Sequence, residues 1–161
     1  MSCGWRWSAI GCLLLVTVAA EESLPSGFEQ WTAVSLKQFD QKLRVDAEQD
    51  PHHFAVEQLA DFQNDSFLLV HRQADGQVEW HETQADVFFV QSGSATLLVG
   101  GTMLNAETVG PHEKRNGSIQ GGLRKKLSPG DIVRIPPRVP HQLLLEGAPG
   151  FDYLVVKVKG Y

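Results

Sequence analysis

The sequence predicts an all-β fold, a sandwich or barrel, behind a short N-terminal extension that carries one helix. Three observations lead there. From Phe54 to Val158 the apolar residues fall into short runs of strand length. Turn residues separate these runs at fairly regular intervals: Asn64-Asp65, Asp75-Gly76, Gly93, Gly100-Gly101, Pro129-Gly130 and Gly147 to Gly150. Helical apolar spacing is confined to Ser35–Glu48. A length of 161 residues suits one compact domain, and 42% hydrophobic residues can fill its core. Charged residues make up 20% and the net charge is −5, which argues against a polyanion-binding surface.

The first residues, "MSCGWRWSAIGCLLLVTVAA", form a separate object. Arg6 precedes an apolar run from Ile10 to Val18, small Ala19 and Ala20 follow, and then Glu21 and Glu22. This is the layout of a secretory signal peptide over 1–20, with cleavage expected after Ala20. The run is short for a bilayer crossing, which needs roughly 20 apolar residues. The expected location is therefore periplasmic or secreted, with no membrane attachment after cleavage. Both cysteines, Cys3 and Cys12, lie in this segment. The processed chain would contain none, so a metal site must use histidine and carboxylate, and a cysteine nucleophile is excluded.

Residues 21–53 read as an extension with a short helix. In Ser35–Glu48, Leu36, Phe39 and Leu43 recur at helical spacing. Ser35 is the expected N-cap with Gln38 as its capping-box partner, and Pro51 stops the helix. Residues 54–161 carry the strands. The expected runs are "FAVEQLADF", "SFLLVHR", "QVEWH", "DVFFVQS", "SATLLVGG", "DIVRIPP", "HQLLLE" and "FDYLVVKV". The polar, glycine-rich stretch from Asn105 to Gly122 reads as a long loop or an extended hairpin at the barrel mouth. Within it, His112 to Arg115 form a charge cluster that belongs either to a solvated loop or to one that closes over a pocket. The run Arg124 to Lys126 is too short to indicate nucleic-acid binding.

Two segments carry residues that stability alone does not require. In "VEWHETQADVFFVQSG", Glu79 and His81 are two apart and share a face of a strand, with Trp80 on the other. Turned inward, a carboxylate and an imidazole need a partner, and a divalent cation is one; turned outward, they need none. Phe88 and Val90 share a face with Asp86 and should line the interior. In "PGDIVRIPPRVPHQLLL", Pro136, Pro137 and Pro140 stiffen the chain just before His141, which opens an apolar strand. His52 and His53 look like surface residues, and the pattern does not decide which way His71 points.

Together the two segments resemble the cupin superfamily in its short, single-domain, type-2-like form. The first cupin motif is roughly G-x5-H-x-H-x3,4-E-x6-G. Glu79 stands where it has its first histidine, His81 at the second, Asp86 at the glutamate and Gly93 at the closing glycine. The second is roughly G-x5-P-x-G-x2-H-x3-N. Gly130, Pro136 and His141 fall in register, with Arg138 at the glycine position and Leu145 at the asparagine position. The resemblance covers about Ser66 to Val158. It implies a double-stranded β-helix, or jelly-roll, barrel and one divalent transition metal (Mn, Fe, Ni or Zn) held by Glu79, His81, Asp86 and His141. It also implies a small-molecule ligand or substrate and a possible homodimer.

Cupins host oxygenases, isomerases and plain binding proteins, so the fold leaves two classes open: a metal-dependent enzyme, or a metal-free binding or sensing module for a sugar or phenol. Two carboxylates would neutralise a divalent ion, from which a neutral organic ligand is expected. No nucleotide-binding loop or hydrolase serine elbow is present in the sequence.

Overall fold

The computed structural model describes Met1 and residues 24–161; the expected signal segment, its cleavage point and both cysteines lie outside the described residues. Two units separate, Met1–Gln30 and Trp31–Tyr161. In the first, Pro25 to Phe28 close a turn in which the Phe28 amide donates to the Pro25 carbonyl over 3.1 Å. All helices and strands described lie in the second.

Helix α1 spans Ala33–Gln49 and begins two residues before the expected start. Thr32, not Ser35, is its N-cap: the Thr32 hydroxyl accepts from the Ser35 amide at 3.1 Å. Ser35 instead returns its own hydroxyl to the Thr32 carbonyl at 2.9 Å. Either residue satisfies the capping preference, and sequence alone does not choose between them. Asp50 closes the helix, its amide donating to the Asp46 carbonyl at 3.0 Å, just before Pro51.

Thirteen strands are described: β1 (Phe54–Asp61), β2 (Asp65–Arg72), β3 (Glu79–His81), β4 (Gln84–Gly93), β5 (Ala95–Val99), β6 (Thr102–Leu104), β7 (Glu107–Gly110), β8 (Glu113–Arg115), β9 (Ser118–Gln120), β10 (Leu123–Leu127), β11 (Ile132–Ile135), β12 (His141–Leu144) and β13 (Phe151–Lys159). They form a five-stranded sheet in the order β1-β2-β13-β4-β11, a six-stranded sheet in the order β10-β5-β12-β3-β8-β7, and the ribbon β6-β9. The two large sheets face each other across a core that includes Val70, Phe88, Val90, Leu97, Ile135, Leu143, Phe151 and Tyr153. Phe151, Leu97 and Ile135 are almost wholly buried, and each such side chain contributes about 2 kcal/mol by leaving water. The outer face of the five-stranded sheet offers Ala55 and Leu69 to Leu43 and Ala47 of α1.

Two polar segments take their place in the sheets. Of the two forms expected for Asn105–Gly122, the structure has the hairpin: β7 and β8 pair antiparallel, β8 pairs in turn with β3, and β9 follows. The basic run Arg124 to Lys126 lies in strand β10, antiparallel to β5. Both segments are polar because they sit on sheet margins, where apolar alternation is weakest.

Two backbone positions bring the motif segments together. At Gly93, with φ of 76°, a Cβ would lie 2.0 Å from the Gly150 carbonyl oxygen, so only glycine fits where β4 meets the start of β13. Arg138 adopts φ of 63°, the left-handed conformation for which the resembling motif uses glycine. In that conformation its amide donates to the His81 carbonyl at 2.7 Å. This bond ties the proline-rich turn to β3 just before His141.

Candidate metal centre

Strand pairing gathers the four expected residues from both sheets. On β3, Glu79 lies opposite His141 of β12, and His81 follows two residues on, on the same face. Asp86 on β4 of the other sheet lies opposite Lys157 of β13. Glu79, His81, Asp86 and His141 each direct one donor atom into a cluster whose members all lie within 4.8 Å of one another. His81, Asp86 and His141 are buried and Glu79 nearly so.

The imidazoles are oriented as metal ligands need them. His141 Nδ1 donates to the Val139 carbonyl at 3.1 Å, which leaves the Nε2 lone pair facing the cluster. That Nε2 is buried and has no hydrogen-bond partner among the described residues. His81 presents Nε2 to Glu79 Oε2 at 3.5 Å and to Asp86 Oδ2 at 3.4 Å, and Asp86 Oδ2 is 3.5 Å from His141 Nε2. A tetrahedron of N and O ligands about 2.1 Å from an ion has edges of about 3.4 Å. Donor type, burial and spacing therefore fit one divalent transition ion.

The cluster also contains a cation of its own. Lys157 Nζ donates to Asp86 Oδ1 and Oδ2 at 3.0 and 3.1 Å and lies 3.3 Å from His81 Nε2. Burial opposes ionisation of Asp86, but His141, His81 and Lys157 outweigh it and hold the carboxyl well below the usual range. Glu79 is likewise opposed by burial, yet His81, Arg115, His141 and Lys157 bring it down to about 2. His81 is pushed down by burial and raised, on balance, by Asp86 and Glu79.

Beside the cluster opens a cavity of about 610 Å³, lined by Glu79, Asp86 and His141 and by apolar Phe54, Leu68, Phe88, Leu143 and Val155. Phe88 lines it as expected, and Val90 enters the core behind it. His52 and His53 are exposed as expected, yet they stand at its rim. The cluster from His112 to Arg115 is divided by strand alternation. Glu113 Oε1 lies 3.8 Å from His81 Nδ1, and Arg115 reaches Glu79 at 3.4 Å. His112 pairs with Glu82 outside, and Lys114 lies over the Trp80 ring at 5.0 Å, on the face opposite Glu79 and His81. His71 points away from the cavity, into a buried pair with Asp152 at 2.5 Å.

Arg72, Tyr153 and Lys157 were not anticipated at the site, and Arg115 only as part of a segment that could close over a pocket. Period-two alternation aims Leu68, Val70 and Arg72 of β2 to one side, and Tyr153, Val155 and Lys157 of β13 likewise, so this signal was present. Arg115 arrives only through the β3–β8 pairing, for which the sequence holds no local cue. These side chains revise the expectation of a neutral centre. Among the cavity-lining residues Arg72, Arg115 and Lys157 already balance Asp75, Glu79 and Asp86, so a divalent ion would leave the lining cationic.

By sequence, the chain matches no family profile and no curated protein. By structure, it is similar to a double-stranded β-helix protein from Klebsiella pneumoniae, with 17% identity and a TM-score of 0.50 over 66% of this chain and 77% of that one. It is similar also to the cupin domain of Cnp3 from Schizosaccharomyces pombe, with 9% identity and a TM-score of 0.50 over 66% of this chain and 64% of that one. At such identities the likeness extends to the fold.

Proposed function

The fold being the double-stranded β-helix of cupins, we propose that this protein holds one divalent transition metal through Glu79, His81, Asp86 and His141 and receives a small organic molecule in the adjoining cavity. The convergence of these four donors at the wall of a cavity of about 610 Å³ is the observation that carries the reading. When bound, the ion would supply a Lewis acid that polarises an oxygen of the bound molecule. The chain's own groups supply the rest. Val139 fixes the His141 tautomer, Phe88, Leu68 and Val155 exclude water, and Lys157 holds a proton on Nζ beside Asp86.

A second reading, a metal-free binding module, is favoured by one observation: Lys157 Nζ already sits among the donors, 3.0 Å from Asp86. Elemental analysis separates the two. After loading with manganese, iron, nickel or zinc and desalting, the metal centre requires one ion per chain in wild type and strong loss in His141→Ala. Wild type that retains no ion leaves the metal-free module.

The leader-like layout of residues 1–20 supports export with cleavage after Ala20. Intact mass of the exported protein should correspond to a chain beginning at Glu21, and retention of Met1 would exclude that processing.

A further inference from the structure

Arg72 is a buried guanidinium with unused donors. It is 9% exposed and lines the cavity. Its Nε donates to the Tyr153 hydroxyl at 3.1 Å, and its guanidinium carbon lies 4.2 Å from the centre of the Phe54 ring. Gly76 makes room for it: a Cβ there would come within 3.3 Å of the guanidinium carbon and 3.4 Å of Nη1. The group is thus clamped by a hydroxyl, a ring face and a glycine. Among the described residues its terminal nitrogens nevertheless lack a close acceptor. The nearest carboxylate is Glu79 Oε1, 3.7 Å from Nη2, beyond hydrogen-bond length. A planar fork held rigid with open donors is built to receive a planar oxyanion bidentately.

Placement narrows the ligand. Glu79 spans from Arg72 Nη2 to His81 Nε2, 3.7 Å and 3.5 Å from its two oxygens, so the fork adjoins the four-donor cluster through Glu79, one of its members. The remaining walls include Phe54, Leu68, Phe88 and Val155. We propose that the cavity selects a small organic acid with an apolar body, whose carboxylate is anchored by Arg72 next to the candidate metal centre. The proposal rests on the reading that this cavity is a ligand site, and it does not require the ion.

The test uses the chelated protein and two probes of nearly equal shape, phenylacetate and phenylacetamide. Calorimetric titration should show the acid bound roughly ten- to a hundredfold more tightly than the amide, the range of a charge-assisted pair. Arg72→Gln should remove the preference. Because that variant removes a buried group, a second measurement uses wild type alone: the side-chain Nε–H resonance of Arg72 should shift with the acid and not with the amide. Equal affinity for both probes, or a resonance indifferent to the acid, overturns the anchor. Absence of saturable binding of either probe overturns the cavity reading on which the anchor rests.

Discussion

Lys157 Nζ donates to both oxygens of Asp86, at 3.0 and 3.1 Å, from the position directly opposite on the neighbouring strand. Lysine and the proposed ion would therefore compete for one carboxylate. An incoming ion must displace the ammonium, and two cations cannot share Asp86 without repulsion. Lys157→Met keeps the aliphatic stem and removes the charge. Its affinity for zinc, measured by competition with a chromophoric chelator, should rise roughly tenfold, the equivalent of about 1.4 kcal/mol. An unchanged or weaker affinity would show that Lys157 supports the ion rather than opposing it.

Outside the barrel, Asp152 fastens helix to sheet. It accepts from His71 at 2.5 Å, and also from Ser92 and from Arg44 of α1. Burial opposes its charge, but the His71 and Ser92 hydrogen bonds prevail and lower it from 3.8. A carboxylate depressed in the folded state stabilises above its unfolded value and loses that contribution as pH falls. Asp152→Asn should cost about 3 kcal/mol at neutral pH. In urea melts the gap to wild type should narrow as the pH drops below 3.8. A pH-independent gap would assign the loss to packing instead of charge.

Arg138 is exposed and left-handed, with φ of 63°. A non-glycine residue there costs about 1 kcal/mol. Arg138→Gly should therefore leave stability equal or higher by up to about 1 kcal/mol, because the flexibility that glycine adds to the unfolded chain offsets part of the relief. Metal content should not change, since the amide that binds the His81 carbonyl remains. A clear fall in melting temperature would mean that the side chain, not the backbone, holds the turn.

The barrel was legible because its strands are short apolar runs set off by turn residues: "DVFFVQS" and "FDYLVVKV" became β4 and β13. The candidate ligands were legible because motif spacing is local in sequence, which placed Glu79, His81 and Asp86 near one another and His141 after its proline turn. What escaped depends on pairing between distant segments. Strand β8 has no apolar alternation and is held as a strand between β3 and β7, which brings Arg115 to Glu79. The same holds for Lys157, whose meaning comes from its register with Asp86. The charge count behind the neutral-ligand expectation was incomplete for the same reason: it included the carboxylates and not the cations brought opposite them.

Glu79 is where those two levels meet. Its motif position is that of an imidazole, and its Oε2 faces His81 and Arg115 while its Oε1 faces Arg72. In the proposed centre it would hold the ion, and it is also the anion that an incoming carboxylate would meet beside Arg72. Glu79→Gln should weaken zinc binding by about ten- to a hundredfold, the range for groups in or around a metal site. It should also tighten phenylacetate binding to the chelated protein, because Arg72 loses its nearest competing anion. The pH dependence follows from the depression of Glu79 from 4.5 to about 2. Its contribution to stability is complete above 4.5 and disappears as pH falls toward 2. In the chelated protein, acid melts of Glu79→Gln should accordingly be flatter than those of wild type across that interval. Identical acid limbs together with unchanged zinc affinity would mean that Glu79 takes part in neither the centre nor its charge balance.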